Sequence, residues 1–224
     1  MKKAISFLRK NPEIIFFICA FILWTMLMCY ENTKEGGDFS WHDLKVEANG
    51  MIFDLFVFGI LVTTYNAIRA RKEKIERLKE EIDDFRGWDE KEAKFRISGA
   101  IKRLNRLGVS VIDLSYCFLE KASLSQIDLN GAWLFKTNLK GSMMSFANLR
   151  GAHIEKSELQ NAHLYMTDLR NAKLSWVSLY EADLREAKLE GIEFDAVNLR
   201  KVNLDGAWVE KDWFEKLEYW QVIG

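Results

Sequence analysis

The side chains that could do chemistry in this sequence are aromatic residues interleaved with lysines between residues 116 and 176. Aromatic rings stack on nucleobases and lysines pair with phosphates, so this composition is typical of a surface that captures a nucleotide or a single strand. The set comprises Tyr116, Trp133, Phe135, Lys136, His153, Lys156, Lys173 and Trp176. A second set, rich in methionine, is typical of contact surfaces and comprises Met143, Phe146, His163, Tyr165 and Met166.

Catalytic and metal-binding patterns are missing from the sequence. It has no glycine-rich phosphate loop, no nucleophile elbow and no motif that pairs histidine with carboxylates. His153 and His163 have no further metal ligands beside them in the sequence. Cys19, Cys29 and Cys117 form no C-x-x-C pair, which argues against a zinc site or a disulfide framework. We therefore expect a protein that is not an enzyme and that carries no metal or cofactor.

One carboxylate, Asp54, lies inside the apolar run from Met51 to Ile68. Ionisable groups within membrane spans are frequent functional sites, so Asp54 is a candidate pore residue, and Thr63 and Asn66 are candidates to extend a polar stripe. In the alternative interpretation, Asp54 lies at the outer interface and its carboxylate reaches water, while threonine is ordinary packing between helices. Both interpretations remain open at this point.

Two apolar segments predict a transmembrane hairpin over residues 1–68. The runs 14–30 and 51–68 are each long enough to cross the hydrocarbon core of a bilayer. Five acids and two bases lie in the loop between them, whereas basic residues precede the first run and follow the second. The positive-inside tendency then predicts a protein of the bacterial inner membrane with both termini on the cytoplasmic side. No small-x-small site follows the first run, which argues against cleavage of a signal peptide.

Residues 69–108 predict a cytosolic helical stalk that becomes a cap. Apolar residues recur in the stalk at spacings of three, four and three, at Ile75, Leu78, Ile82 and Phe85. This spacing is that of a short coiled-coil seam or of a helix with one face on a neighbour.

A second helix follows Gly87, which ends the stalk. Asp89 and Glu92 have the spacing of a capping box at the start of this helix, and Gly108 is suited to a left-handed stop at its end. We expect its apolar side to cover the open end of the domain that follows.

From residue 112 to residue 211 the sequence repeats every five residues. Of the 20 positions read at this interval from Leu114 to Val209, 16 are leucine, and the residue two places earlier is small or β-branched. A period of five fits neither a helix, where five residues advance about 500°, nor a strand, where an odd spacing alternates faces. It requires a chain that turns after each unit and stacks in coils about 4.8 Å apart.

These units, of which Ala147-Asn148-Leu149-Arg150-Gly151 is one of the cleanest, resemble the pentapeptide-repeat family, with the consensus A(D/N)LxX. The resemblance covers residues 112–211 and implies a right-handed quadrilateral β-helix of five coils, with four units per coil. Members typically carry a C-terminal capping helix that often also makes the dimer contact. Here that helix would occupy residues 212–224, with a capping box at Asp212 and Glu215, followed by Trp213, Phe214, Leu217 and Trp220.

In such a coil, residues 20 apart share a face, and both candidate sets point outward. The first set lies on the face through Leu134 and Ile154, and the methionine-rich set lies on the opposite face. Each set would either bind a ligand or pack against a neighbouring subunit or the cytosolic helices. A third face looks like a solvated polar ladder without function and carries Asp128, Asn130, Asn148, Arg150, Asp168 and Arg170.

Three functional hypotheses follow. The preferred one is an oligomeric membrane effector, channel- or pore-like, controlled by a ligand or partner on the cytosolic repeats; its layout resembles two-span effectors of bacterial antiphage defence. The alternative is a passive membrane-anchored scaffold that recruits a cytosolic protein. The third, a gyrase inhibitor that mimics DNA, is disfavoured because residues 112–211 carry 14 acids and 12 bases, too balanced for a duplex mimic. Expected partners are the membrane, further copies of the chain, and a cytosolic protein, nucleotide or single-stranded nucleic acid, but not duplex DNA.

Overall fold

The structure, a computed structural model, describes residues 41–210 and six isolated helical residues between 15 and 26, without the side chains of residues 41–49 and 51. The chain divides into two compact units, residues 1–73 and residues 74–224. The predicted bounds of the first membrane span (14–30) and the C-terminal helix (212–224) lie outside the described residues. The helices are α1, Trp41–Asp84, and α2, Lys91–Arg106. The strands are β1 Trp133–Phe135, β2 His153–Glu155, β3 Lys173–Ser175 and β4 Glu193–Asp195.

Helix α1 is a single helix of 44 residues, about 66 Å long. The only proline of the chain is Pro12, so no ring interrupts the hydrogen bonds of this segment. The helix begins at Trp41, within the predicted outer loop, and joins the predicted second span to the predicted stalk without a break.

The apolar seam of the stalk is buried within the protein. Leu78 and Ile82 are 6% and 1% exposed and belong to the same hydrophobic core as the repeat coils, and Ile75 and Phe85 pack partly buried against it. The coiled-coil interpretation, in which another copy covers this seam, is therefore wrong. The heptad-like spacing reflects burial against the protein's own core.

Helix α2 caps the first coil. Ile97, Ile101 and Leu104 are fully buried and share one core with Ile112 and Leu114, so the expectation of a covering helix is confirmed. The Arg103 guanidinium of α2 donates two hydrogen bonds of 2.9 and 3.1 Å to the carboxylate of Glu81 on α1.

The ends of α2 test two predictions from the sequence. The capping box is wrong, because Glu90 is the N-cap without a side-chain hydrogen bond, and Asp89 instead forms an ion pair with Lys94 at 2.9 Å. The stop at Gly108 is confirmed, with a φ of 76°. Its N–H donates to the carbonyl of Asn105 and the next N–H donates to that of Leu104, at 2.9 and 3.0 Å. This is the Schellman arrangement, which satisfies carbonyls at a helix end.

The repeats stack as parallel coils of 20 residues. The strands pair in the order β1-β2-β3-β4, with Leu134 opposite Ile154 and Ile154 opposite Leu174. Isolated bridges between residues 20 apart continue the same register from Asp113 to Trp208. The expected four units per coil is confirmed. Turns fall at residues with positive φ, such as 51° at Lys136 and 52° at Lys156.

The core of the coils is narrow and nearly dry. The central residues from Leu114 to Leu189 are at most 2% exposed, whereas those of the fifth coil, such as Phe194, are half-buried. Some of the small inward positions carry hydroxyl groups. Thr137 and Ser157 donate hydrogen bonds of 2.9 and 2.7 Å to the carbonyls of Leu114 and Leu134, which offsets their burial.

Polar groups from the helical cap complete the edge of the first coil. The N–H of Gly87 donates to the carbonyl of Tyr116 at 3.1 Å, and the Arg86 guanidinium donates to the carbonyls of Ser115 and Asp113. The side-chain amide of Asn105 exchanges hydrogen bonds of 2.7 and 2.8 Å with the carbonyl and N–H of Asp128. These groups replace the neighbouring coil that the first coil lacks, and so protect an otherwise open sheet edge.

Candidate ligand-binding face

Two outward columns build the candidate site on the face that carries β1 to β4. One column precedes the central residues and contains Trp133, His153 and Lys173. The other lies two places after them, at the positive-φ corners, and contains Tyr116, Lys136, Lys156 and Trp176. The first column points outward because its neighbours along the chain, such as Ala132 and Leu134, point into the core. The second column points outward at the turns between units. We call this surface, with Phe135, the aromatic–lysine face.

The centre of the aromatic–lysine face is a ring pair under two ammonium groups. Tyr116 and Phe135 meet edge to face, with centroids 5.3 Å apart. The Lys136 ammonium lies 5.7 Å from the Tyr116 centroid and 5.5 Å from that of Phe135. Lys156 lies 5.4 Å from the same Phe135 ring. Both cations are therefore held near one ring by cation–π attraction.

The charge balance of this centre is positive. Lys156 pairs with Glu155 at 3.1 Å, with both side chains about half exposed. Surface pairs of this kind hold their partners weakly. Lys136 has no carboxylate within ion-pair distance among residues 52–210.

A second aromatic pair lies beside this centre. The rings of Trp133 and His153 stack in parallel, with centroids 4.2 Å apart and an interplanar angle of 7°. Trp133 is 52% exposed and Trp176 is 64% exposed. Lys173 forms an ion pair of 3.3 Å with Glu193 and so is less available than Lys136. The structure thus brings together the residues from 116 to 156, and leaves Lys173 and Trp176 at the far end of the face.

The opposite, methionine-rich face is more mixed in character. Met143, Phe146 and Met166 are 44%, 53% and 40% exposed, and Phe146 meets Tyr165 edge to face at 5.5 Å. The Tyr165 hydroxyl donates to the Glu186 carboxylate at 3.3 Å. Desolvation and this carboxylate raise the pKa of Tyr165 above its ordinary value. Carboxylates on this face give it less complementarity to an anion than the aromatic–lysine face has.

The polar-ladder face is satisfied by its own side chains. Asn148 donates to the carboxylate of Asp128 at 2.8 Å. Two hydrogen bonds from the Arg170 guanidinium lower the pKa of Asp168, and Arg185 does the same for Asp183 on the opposite, methionine-rich face. The ladder therefore serves the stability of the coil.

The structure does not bring the three pore candidates together. At 100° per residue, Asp54 and Thr63 lie about 180° apart around α1, and Asn66 lies about 60° from Thr63. The Thr63 hydroxyl donates to the carbonyl of Gly59 at 2.8 Å. A polar stripe that includes Asp54 is therefore not formed on this helix.

Sequence reasoning missed Arg86, Asn105 and Trp88. Arg86 and Asn105 hold the cap on the first coil, and Trp88 is 54% exposed with an edge contact to Phe85. No periodicity marks these residues, because each acts once, outside the repeat. Within the described residues, no group of three or more histidine, cysteine, aspartate or glutamate side chains has the arrangement of a metal site.

Comparison with known proteins identifies the repeat. Residues 142–179 and 178–211 match the family model for pentapeptide repeats, in 8 copies. No curated protein matches the sequence.

Solved structures include several similar repeat proteins. A pentapeptide repeat protein from the thylakoid lumen of Arabidopsis thaliana is 24% identical over 47% of this chain and 73% of its own, with a TM-score of 0.46. HetL, involved in the regulation of heterocyst differentiation in the cyanobacterium Nostoc, is 26% identical over 44% of this chain and 54% of its own, with a TM-score of 0.26. Full-length QnrB1, a plasmid-mediated fluoroquinolone resistance protein, is 15% identical over 48% and 68%, with a TM-score of 0.19.

Proposed function

We propose that this protein, whose residues 142–211 are pentapeptide repeats, is a non-enzymatic binding protein held at a membrane by helix α1. Its repeat domain is the recognition part, and the aromatic–lysine face is the binding surface. Basic residues between 69 and 79 follow the apolar segment, which favours a cytoplasmic repeat domain. In the described part of the chain, the portion of α1 from Ile52 to Asp84 is long and apolar enough to cross a membrane.

The exposed apolar side of α1 carries this proposal. Leu55, Phe58, Leu61, Tyr65 and Ile68 are each more than 60% exposed. Burial of one such aliphatic or aromatic side chain is worth about 1.5–3 kcal/mol, so the cost of leaving the whole set in water is large. The opposite side of the same segment, which includes Phe56, Gly59 and Ile60, is half-buried. A lipid environment satisfies the exposed side without any further protein.

Membrane extraction tests the anchor. We expect the wild-type chain to remain in the membrane pellet after alkaline carbonate, because α1 is inserted. The double variant Phe58→Arg/Leu61→Arg places two charges in the middle of the segment, each costing about 2.5–3.5 kcal/mol in a bilayer, and a larger fraction of it than of the wild type should move to the supernatant. Glu73→Arg/Glu80→Arg is the matched control, with the same two arginines in α1 beyond the apolar run 51–68. A wild-type chain in the soluble fraction would sink the proposal.

A ligand-controlled effector is the second candidate function, favoured by the contacts of Arg86 and Gly87. Both residues follow α1 directly and bind carbonyls of the first coil, including that of Tyr116 on the aromatic–lysine face. Occupancy of that face would therefore act on the segment that leads to α1. A passive scaffold needs no such coupling.

Ion flux through liposomes separates the effector from the scaffold. If several copies formed a pore, the side of α1 with Thr63 and Asn66 would line it. Thr63→Val/Asn66→Leu should then abolish flux, and Asp54→Asn on the other side should leave it intact. The protein is reconstituted at defined orientation and tested with and without a 5′-phosphorylated dithymidylate probe. Absence of flux in both conditions supports the scaffold over the effector.

A further inference from the structure

The corner column of the aromatic–lysine face has its own order of side chains. It reads Tyr116, Lys136, Lys156 and Trp176, so that two cations are flanked by an aromatic residue at each end. Adjacent coils stack about 4.8 Å apart, which makes the column about 14 Å from end to end. Its members are fixed by the backbone, since all four occupy the same turn position with φ between 51° and 61°.

The two lysines occupy the same turn position in adjacent coils, and within residues 52–210 only one of them has an acid within ion-pair distance. Both ammonium groups lie over the Phe135 ring, at 5.5 and 5.4 Å from its centroid. The Glu155 carboxylate forms an ion pair with the Lys156 ammonium, with an N–O distance of 3.1 Å, on an exposed surface. Two neighbouring cations repel each other, and an anion between them relieves that repulsion. The chemistry in the middle of the column therefore fits phosphate.

The aromatic ends fit stacking on flat rings. Tyr116 and Trp176 are 48% and 64% exposed, and Tyr116 also lies beside the Phe135 ring and the Lys136 ammonium. Every nucleobase presents a flat π-face, and stacking on aromatic side chains tolerates any base. A ligand complementary to the whole column thus has bases at both ends and phosphate in the middle.

From this complementarity we propose that the column binds a dinucleotide, with its linking phosphate between Lys136 and Lys156 and its bases on Tyr116 and Trp176. The inference rests on the proposed function in that it names the ligand of the recognition domain. It goes further by assigning a ligand size. A mononucleotide reaches only one aromatic end, and inorganic phosphate reaches neither.

Titration of the full-length protein in detergent tests the site. The probes are 5′-phosphorylated dithymidylate, thymidine monophosphate and inorganic phosphate, followed by quenching of tryptophan fluorescence and by calorimetry. We expect the dinucleotide to bind at least tenfold more tightly than the mononucleotide, and its affinity to fall as salt is raised. Trp176→Ala should weaken the dinucleotide by about tenfold or more and leave the mononucleotide less affected.

The lysine variants have a matched control on other faces of the repeat domain, in the coils before and after. Lys136→Gln/Lys156→Gln should abolish measurable dinucleotide binding, whereas Lys121→Gln/Lys188→Gln removes the same charge elsewhere and should retain it. Equal affinities of these two variants, or no saturable binding to the wild type, would overturn the site. Membrane extraction of the same preparations is independent of this result, so failure of the site and failure of the anchor are told apart.

Discussion

The leucines of the first four coils and the apolar residues of α1 have similar chemistry and opposite surroundings. Leu134, Leu139 and Leu149 are fully buried, whereas Leu55 and Leu61 are 68% and 62% exposed. In the repeats, the chain supplies its own cover, because each coil packs on the next. On the exposed side of α1, the apolar side chains must be covered by something other than the described part of the chain. The comparison shows that hydrophobic character predicts that a side chain will be buried. The fold determines whether the rest of the chain or an outside medium such as lipid covers it.

The largest expected effect comes from truncating a leucine on each side of this comparison. Leu139→Ala should lower the free energy of unfolding of the repeat domain by about 2–5 kcal/mol, because it leaves a cavity in a closed core. Leu61→Ala should change it by less than about 0.5 kcal/mol, since an exposed side chain loses no packing. Urea unfolding of the detergent-solubilised protein, followed by circular dichroism, measures both. Equal losses would mean that Leu61 is buried in the protein.

The next effect concerns the cap that closes the first coil. Asn105→Ala should cost about 1–3 kcal/mol, because its amide exchanges hydrogen bonds with the backbone of Asp128 and would leave those groups unpaired. Asn130→Ala, on the surface of the same coil, is the control and should be nearly neutral. Hydrogen exchange of the N–H of Asp128 should rise in the first variant alone. Unchanged exchange there would contradict the assignment, because it would show that the Asn105 amide does not protect this N–H.

Two inward serines should respond with opposite signs. Ser157→Ala should destabilise by about 1 kcal/mol, because its hydroxyl donates to the carbonyl of Leu134 at 2.7 Å. The Ser142 hydroxyl is buried without a hydrogen-bond partner in the described part of the chain, so Ser142→Ala should be neutral or stabilising. Thermal unfolding of the pair compares them directly. A destabilised Ser142→Ala would indicate a bound water at that hydroxyl.

The smallest expected effect is on how stability falls at acidic pH. Hydrogen bonds from Arg170 and Arg185 lower the pKa of Asp168 and Asp183 below the ordinary 3.8. Their contribution is therefore present above pH 3.8 and is lost as the pH falls through the lower folded-state pKa. The double variant Asp168→Asn/Asp183→Asn should show a shallower fall of melting temperature below pH 4 than the wild type. Identical pH profiles would contradict this account.

Much of the fold could be predicted because the same pattern of inward residues recurs in every unit of the repeat. Twenty units with one large and one small inward residue predict a chain that turns after each unit, and the resemblance to the pentapeptide-repeat family implies four units per coil. The stop at Gly108 follows from a single glycine at the end of an apolar pattern. The capping box at Asp89 failed because local spacing cannot tell which of two adjacent acids becomes the N-cap. The sequence left two interpretations of the seam at Leu78 and Ile82 open, because a heptad spacing is the same whether a second copy or the chain itself covers it.

The candidate site was foreseeable in part. Residues 20 apart share a face once the coil is known, so the sequence predicts that Tyr116, Lys136, Lys156 and Trp176 form one column. It does not predict that both ammonium groups converge on Phe135, or that Lys173 is paired with Glu193, because these depend on rotamers. Arg86 and Asn105 could not be found at all, since each binds backbone groups brought near only by folding.

The sequence by itself determined the period, the inward columns and the apolar character of residues 51–68, because these are local properties that the composition of each unit carries. Only the tertiary structure decided that the stalk seam belongs to the core and which cations remain available on the outer face. Such choices depend on competition between distant surfaces for the same side chain. The pattern along the sequence indicates whether a side chain will be buried or paired, and packing in three dimensions determines which residue it contacts.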